Sequence, residues 1–194
     1  HITGLISVLG YYNVDTILVS PNAGHTAIAT SLHDAIEQEH ASVHVAARGD
    51  VIDFGDGVTM TVLHPKHAMV VRDDDTNDVS VSVVIRYKDQ SIVLTGDLPS
   101  TYEQNLISGA VPRHVTIYKA GHHGSKYSSG EQFLSYARPE YSIISAGKNN
   151  KYDHPNKETL DRLAIYSKET LSTIDRGTIS FFLDGKSAVL RTEK

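Results

Sequence analysis

Apolar residues recur with two different spacings along the chain, which predicts that helices and strands alternate. In residues 1–11 the apolar side chains follow the i, i+3, i+4, i+7 spacing of an amphipathic helix, and residues 24–40 repeat that spacing. Shorter apolar runs predict buried strands at Thr16–Ser20 and Val43–Val45. The N-terminal region is therefore predicted to run helix, strand, helix, strand.

Two turn sequences predict β-hairpins in the next part of the chain. Phe54-Gly55-Asp56-Gly57 separates two apolar runs, and Lys88-Asp89-Gln90 separates two runs rich in β-branched residues. The hairpin strands are predicted at Val51–Phe54, Val58–Leu63, Val79–Tyr87 and Ser91–Thr95. Residues 65–78, between the hairpins, are predicted to form a polar loop that contains Asp73, Asp74 and Asp75.

The second half of the chain alternates again and sets the predicted fold class. Pro99 is typical of the first turn of a helix, and Gly109 of its end. Helices are predicted at 99–108, 129–137 and 156–168, and strands at Val115–Tyr118, Tyr141–Ser145, Leu171–Ile174, Thr178–Leu183 and Ala188–Arg191. No repeat or linker interrupts residues 1–194, so we predict a single α/β domain whose sheets are covered by helices on their outer faces. The pattern alone does not distinguish one sheet from a sandwich.

The high histidine content and the absence of cysteine narrow the chemistry. The chain has 194 residues with 11 His, no Cys and a formal net charge of −5. The absence of cysteine excludes a disulfide framework, a zinc finger, an iron–sulfur cluster and a thiol nucleophile. The histidines indicate metal or acid–base chemistry, and composition does not choose between the two. No run of about 18 apolar residues is present that would predict a membrane span.

Charge is unevenly distributed along the chain. Residues 111–168 carry nine Lys and Arg against five Asp and Glu, whereas residues 1–110 carry five against fourteen. A basic segment in an acidic chain is compatible with an anionic ligand near that segment. A solvated basic face is the other interpretation, and the charge count alone favours it.

The most informative strand is Ser91–Thr95, because it ends in Gly96-Asp97. A glycine followed by a carboxylate at a strand end suits a metal ion, particularly one that shares a ligand with a second ion about 3.5–4 Å away. A helix cap before Pro99 or a plain turn aspartate is the alternative, and Gly96-Asp97 alone favours that alternative.

A histidine pair further along the chain favours the metal-binding interpretation over the structural one. The strand at Val115–Lys119 leads into Ala120-Gly121-His122-His123-Gly124-Ser125. Adjacent histidines in a strand would point to opposite faces of the sheet, but in a loop between two glycines both can turn toward one site. Two surface histidines are the alternative interpretation, and the flanking glycines favour the functional one.

These segments together resemble a known family. Gly96-Asp97, Gly121–Ser125, Ser145-Ala146-Gly147-Lys148-Asn149-Asn150 and Tyr152-Asp153-His154-Pro155 resemble the metallo-β-lactamase superfamily, and within it the hydrolase domain of bacterial competence (DNA-uptake) membrane proteins. The opening His1-Ile2-Thr3-Gly4-Leu5 resembles the end of the HxHxDH metal motif of that family and the residues after it, with His1 as the final histidine of the motif. Asn77, Ser80 and Glu103 also lie where family members often carry such residues. The resemblance covers the whole chain and implies a metallo-β-lactamase-type αββα sandwich lacking its first strands.

The resemblance implies metal-assisted hydrolysis. It assigns His1, Asp97, His122 and His123 as metal ligands, with Asp97 shared between the ions and His122 also able to contact the leaving group, so that Asp97 and His122 are the catalytic candidates. Two divalent ions, Zn or Mn, would lower the pKa of a bound water to about 7 and stabilise charge on a phosphoryl oxygen. Substrate-binding candidates are Ser125, Lys126, Asn149 and His154.

One departure from the family pattern bears on activity. The first two histidines and the aspartate of HxHxDH are absent, so we expect a fragment that starts inside the motif and is impaired or inactive. The expected substrate of the intact protein is DNA during uptake. A small phosphodiester of the phosphocholine type, or a degenerate domain that binds nucleic acid or protein without turnover, are the alternatives.

The resemblance also implies a location and a partner. It places the domain on the extracytoplasmic face of the bacterial membrane, joined to a membrane-embedded channel domain of the same chain, and no stable protein partner is inferred. Two further polar residues receive structural interpretations. Glu103 is interpreted as a hydrogen-bond partner rather than a catalytic acid, and His64, at a strand end, as structural.

Overall fold

The computed structural model describes residues 2–22, 24, 26–66, 76–107 and 110–194. The N-terminal part consists of two helices and two short strands. α1 packs against α2, and β1 pairs in parallel with β2. The bounds are α1 (Ile2–Tyr11), β1 (Thr16–Val19), α2 (Ala27–Glu39) and β2 (Ser42–Val45). The Thr26 side chain accepts a hydrogen bond from the Ala29 amide and so caps the start of α2.

Seven strands form the main sheet, and their spatial order is their order in the chain. They are β3 (Val51–Asp53), β4 (Val58–His64), β5 (Ser82–Tyr87), β6 (Gln90–Leu94), β7 (Ile117–Lys119), β8 (Tyr141–Ile144) and β9 (Glu169–Ser172). The pairs from β3 to β6 are antiparallel, whereas the pairs from β6 to β9 are parallel. The parallel half therefore brings the carboxyl ends of four neighbouring strands to one edge.

Helices follow the parallel strands, as parallel pairing requires. These are α3 (Ser100–Glu103), α4 (Glu131–Ala137), α5 (Lys157–Tyr166) and α6 (Thr173–Arg176), and a separate hairpin of β10 (Ile179–Leu183) and β11 (Ala188–Thr192) closes the chain. No helix within the described residues has the length and apolar character needed to cross a bilayer.

The main core is formed by residues of β4 to β8 and of the helices packed against them. It joins strand residues to α4 and α5, and the Tyr118 and Phe133 rings are 5.4 Å apart between centroids. Each large apolar side chain that is fully buried stabilises the fold by about 1.5–3 kcal/mol. The largest apolar members with no more than 1% exposure are Leu63, Leu98, Leu106, Phe133, Leu134, Ile144 and Leu163. This packing holds in place the strands whose ends carry the edge loops.

The α/β class predicted from the sequence is confirmed, and the mixed sheet with flanking helices fits an αββα sandwich. The helices predicted at 24–40, 129–137 and 156–168 are confirmed with ends within three residues of those predicted. The proposed absence of the first strands stays a prediction.

Three predicted boundaries are wrong. Val79 belongs to a 3₁₀ turn (Thr76–Val79), so β5 begins at Ser82; Val79 is fully buried in that turn, which explains its strand-like pattern. The helix predicted at 99–108 ends as an α-helix at Glu103 and continues as a 3₁₀ turn to Leu106, because the Pro99 carbonyl already accepts from Tyr102. The strand predicted to reach Ile174 stops at Ser172, whose side chain caps α6. Asp73–Asp75 and Gly109 lie outside the described residues.

Candidate functional site

Loops after three adjacent strands meet at the carboxyl edge of the parallel sheet. They comprise residues 95–99 after β6, 120–130 after β7 and 145–156 after β8. The His122 amide donates a 2.9 Å hydrogen bond to the Gly96 carbonyl, which joins the first two loops directly. Open sheets with parallel strands generally bind ligands at this edge.

Asp97 is held in place by Ser80, which precedes β5, the strand paired with β6. Its amide donates to the Ser80 hydroxyl at 3.2 Å, and its Oδ1 atom is buried. Gly96 has a φ of 61°, and a Cβ there would lie 3.1 Å from the Ser80 Cβ. A residue with a side chain would therefore disturb the contact that positions Asp97.

The histidine pair has strained backbone. His122 (φ 47°, ψ 46°) and His123 (φ 56°, ψ 21°) both adopt left-handed conformations, each of which costs on the order of 1–3 kcal/mol. The loop around them is tightly packed, since a Cβ at Gly121 would lie 2.9 Å from Ser128 and a Cβ at Gly124 would lie 2.7 Å from Pro155. The surrounding structure thus holds the two rings in an arrangement that the backbone alone disfavours.

The His123 ring is fixed by a hydrogen bond to the next loop. Its Nδ1 atom lies 2.7 Å from the Ser145 carbonyl oxygen. Because a carbonyl oxygen only accepts, Nδ1 carries the proton, and in the neutral ring Nε2 then has the lone pair. Histidines that bind metal ions generally have this arrangement.

His154 completes a group of three imidazoles. Its ring centroid is 5.5 Å from that of His122, nearly perpendicular to it, and the His122 and His123 centroids are 6.4 Å apart. Burial lowers the pKa of His154, and the positive charges of His122 and His123 lower it further, whereas Asp97 opposes them. His154 is therefore neutral at neutral pH.

Asn150 organises the loop that carries His154. Its Nδ2 donates to the carbonyls of Gly147 (3.0 Å) and His154 (2.5 Å), and its Oδ1 accepts from the amides of Tyr152 (3.2 Å) and His154 (3.0 Å). The start of this loop is tied to the end of β9, because the Thr173 hydroxyl accepts from the Ala146 amide (3.1 Å) and donates to its carbonyl (2.9 Å). The sequence analysis missed Asn150, although an Asn before a turn is a known signal for such bonds.

Buried hydrogen bonds centred on Glu103 support the loop that carries the histidine pair. The Glu103 carboxylate is fully buried and accepts from the amides of Ser129 (3.0 Å) and Gly130 (2.7 Å) and from the Tyr118 hydroxyl (3.2 Å). The Gly121 amide donates in turn to Tyr118 Oη at 3.2 Å. Burial raises the pKa of Glu103 to about 7, and the two amide donors limit that rise. Glu103 is a structural hydrogen-bond partner, as the sequence analysis interpreted it.

The remaining predicted site residues differ in their exposure to solvent. Ser125 is buried, and its hydroxyl accepts from the Tyr127 amide at 3.3 Å. Lys126 and Asn149 are exposed, and the Lys126 amide donates to Asn156 Oδ1 at 2.9 Å. His1 lies outside the described residues. These four assignments stay predictions.

Two further residues lie near this edge of the sheet. His64 is buried, with Nε2 2.7 Å from the Asp78 carbonyl, which fits its structural interpretation. Lys119, which the sequence analysis did not single out, ends β7 beside the site. Burial lowers the pKa of its ammonium group, and the negative charge of Asp97 opposes that shift.

The donor types at this edge suit divalent metal ions. Asp97, His122 and His123 carry carboxylate oxygen and imidazole nitrogen, which are donor types that both Zn and Mn accept, and the contact with Ser145 orients the His123 ring. Among residues 2–22, 24, 26–66, 76–107 and 110–194, however, no group of three or more His, Cys, Asp or Glu side chains is arranged so that it could hold a metal ion. The residues present thus fit the ligand chemistry, while a complete metal-binding group is not formed by the described part alone.

No family model matches the chain. The chain is nevertheless similar in sequence to several known proteins. The chain is 35% identical over 147 residues to ComE operon protein 3 of Bacillus subtilis, an alignment that covers 76% of this chain and 18% of that protein. It is 32% identical over 130 residues to Recombination protein 2 of Haemophilus influenzae, with 66% and 16% covered. It is 30% identical over 131 residues to Competence protein ComA of Neisseria gonorrhoeae, with 66% and 18% covered. The chain therefore spans less than a fifth of the length of these curated relatives.

Proposed function

We propose that this chain is the metal-dependent hydrolase part of a competence protein and that it cleaves phosphodiester bonds of DNA during uptake. The similarity to proteins named for competence and recombination supports a role in handling DNA. One observation carries the hydrolase assignment: the 2.9 Å bond from the His122 amide to Gly96 joins the two strand ends that bear Asp97 and the histidine pair. This backbone contact joins the loop of Asp97 to the loop of the histidine pair at the edge where parallel sheets bind ligands, and it supports the proposal.

Asp97, His122 and His123 would hold the divalent ions, which when bound supply Lewis-acid polarisation of a phosphoryl oxygen. The chain's own contribution is orientation. Ser80 positions the Asp97 backbone, and the Ser145 carbonyl fixes both the tautomer and the direction of the His123 ring. His1 is proposed as a further ligand on the basis of the sequence resemblance.

Substrate positioning is assigned to the residues around this group. The His154 ring lies against His122, so its nitrogens are placed to bond a phosphate oxygen near the histidine pair. The Lys126 ammonium is exposed and can attract a phosphate, whereas the buried Ser125 hydroxyl bonds within its own loop. In the whole protein we propose that this part lies on the extracytoplasmic face of the membrane, joined to a channel domain.

The test is DNA hydrolysis by the protein in the full length that its gene encodes, with Mn or Zn added. Replacing Asp97→Asn should reduce the rate by more than the roughly 10–100-fold that the loss of an outer-shell partner causes. The bound metal, measured by elemental analysis, should fall with it. The control is Asp34→Asn, because Asp34 is exposed on α2, away from the sheet edge.

Three outcomes would contradict the proposal. These are equal rates for Asp97→Asn and the unmodified protein, activity that survives a chelator, and an unmodified protein that binds DNA without cleaving it. The last result would instead support a non-catalytic binding domain.

A further inference from the structure

Two exposed tyrosines, each beside a lysine, flank the candidate site. Tyr127 is 68% exposed and Tyr152 is 62% exposed. The Lys126 Nζ lies 5.3 Å from the centre of the Tyr127 ring, and the Lys151 Nζ lies 4.7 Å from that of Tyr152. We refer to these four residues as the Lys–Tyr rim. One pair lies on the loop after β7 and the other on the loop after β8.

Tyr152 is connected to the site by ring contacts. Its ring stacks on His154 with an interplanar angle of 25° and a centroid distance of 5.7 Å, and His154 contacts His122 edge-on at 5.5 Å. The Tyr152 amide is held by Asn150, so the backbone beneath the ring is fixed. Two successive ring contacts therefore connect Tyr152 to His122.

The two loops that carry the Lys–Tyr rim are joined by a hydrogen bond. The Lys126 amide donates to Asn156 Oδ1, which connects the first loop to the end of the second. Beside Tyr152 lies a cavity of about 300 Å³ lined by Lys148, Asn149, Asn150, Asp153, His154 and Ile174. That volume is at the small end of the range for ligand sites. The rim thus combines flat rings, ammonium groups and a small recess.

We propose that the Lys–Tyr rim binds a single strand of nucleic acid, with an unpaired base stacked on Tyr152 and the lysines against neighbouring phosphates. Aromatic platforms combined with basic side chains are how proteins bind single strands without reading their sequence. A duplex buries its base faces in its own stack and cannot offer them to Tyr152. The inference deepens the proposed function, on which it rests for the choice of nucleic acid, by specifying unpaired strand as the ligand.

The lysines do not prevent this stacking. An ammonium group over an exposed ring is held weakly, and the stacking of a base on an aromatic ring is stronger. An incoming base therefore displaces the Lys151 head group from the ring. The displaced ammonium remains close to the phosphates on either side of that base.

The test measures binding without turnover, by fluorescence anisotropy in a chelator. The ligands are a single-stranded oligodeoxynucleotide of about ten nucleotides, within the ~4–16 that one such site covers, the same backbone without bases, and the corresponding duplex. Tyr152→Leu should weaken binding of the base-bearing strand roughly tenfold and leave the abasic strand within about twofold. Tyr152→Phe should bind like the unmodified protein, because the ring is retained.

Two matched variants separate stacking from charge and from general surface effects. Lys126→Ala should weaken binding of all three ligands to a similar degree and reduce the dependence on salt concentration. Tyr12→Leu should change nothing, since Tyr12 is 68% exposed like Tyr127 but follows α1.

The inference is wrong if the duplex binds as tightly as the single strand, if Tyr152→Leu weakens the abasic strand equally, or if no oligonucleotide binds. Because no cleavage is measured here, a failure of the Asp97→Asn test would leave this result intact. The two proposals can therefore fail separately.

Discussion

The loops that follow β7 and β8 lie side by side at one edge of the sheet, but they are held in different ways. The loop at 120–130 is mostly buried and is supported by the fully buried Glu103. Six of the twelve residues in the loop at 145–156 are exposed and none is fully buried, and the single amide of Asn150 makes most of its internal hydrogen bonds. The first loop carries the strained histidine pair and the second carries the ring of Tyr152. The strained histidine pair thus lies on the more buried loop, and Tyr152 lies on the more exposed one.

Arg162 on α5 also supports the loop at 120–130. From α5 its guanidinium donates to the carbonyls of Ser129 (2.9 Å), Ser128 (2.9 Å) and Lys126 (3.0 Å). Its positive charge also lowers the pKa of Glu103, against the larger effect of burial. Two charged side chains from two helices therefore fix one loop of about ten residues. The loop after β8 has no counterpart to this clamp within the described residues.

The largest effect should follow from the removal of the buried carboxylate. Glu103→Ala leaves the buried Ser129 amide and the partly buried Gly130 amide without their acceptor, so the free energy of unfolding should fall by about 3–5 kcal/mol. The measurement is urea denaturation. Glu169→Ala, at an exposed position of β9, should change that free energy by less than about 0.5 kcal/mol. An effect of Glu103→Ala no larger than that of Glu169→Ala would contradict the support of the loop at 120–130 by Glu103.

Glycine substitutions on the two loops should have unequal effects of intermediate size. At Gly124 the φ is 90° and a new Cβ would lie 2.7 Å from the Pro155 side chain, so Gly124→Ala should lower the free energy of unfolding by about 2–3 kcal/mol. Gly147→Ala on the exposed loop meets no atom within 4 Å and should stay within about 1 kcal/mol of the unmodified chain. Thermal denaturation of both variants gives the comparison, and a tolerated alanine at Gly124 would contradict the close packing described.

The smallest effect concerns pH. Burial raises the pKa of Glu103 from 4.5 to about 7, so its protonated form stabilises the fold fully below about 4.5, and this contribution is lost as the pH rises through about 7. Glu103→Gln has no proton to lose there. The unmodified chain should therefore lose about 2 kcal/mol relative to Glu103→Gln between about pH 5 and 7, as measured by urea denaturation at each pH. No relative change over this interval would mean that the carboxyl is ionised throughout.

The strand ends of the site are predictable from local sequence because short-range rules govern them. An apolar run followed by Gly96-Asp97, and another followed by the glycine-flanked histidines, indicate loops after strands, and parallel pairing then places both loops at one edge. Turn residues set the hairpins in the same way. The α/β class follows from the same alternation of short strands and helices.

The support of these loops is less predictable because it depends on contacts between residues distant in the chain. Glu103 bonds to amides 26 and 27 residues away, and the role of Tyr118 as both donor and acceptor depends on the packing of α3 beneath the loop. At Val79 the local pattern is misleading. An apolar residue at the start of a β-branched run resembles a strand residue, yet Val79 is buried in a 3₁₀ turn. Burial rather than strand geometry selects the apolar side chain there.

The two hydrogen bonds between Thr173 and Ala146 can form only after residue 173 has been synthesised. The ribosome releases the N-terminal part first, and Thr173 follows Ala146 by 27 residues, so the loop at 145–156 is made before the residue that anchors its start. β8 likewise has an open edge until β9 emerges, and an open strand edge pairs readily with other chains. The nascent protein therefore passes through a stage at which this edge is unprotected and its loop untethered. Emergence of residues 169–173 ends both conditions together.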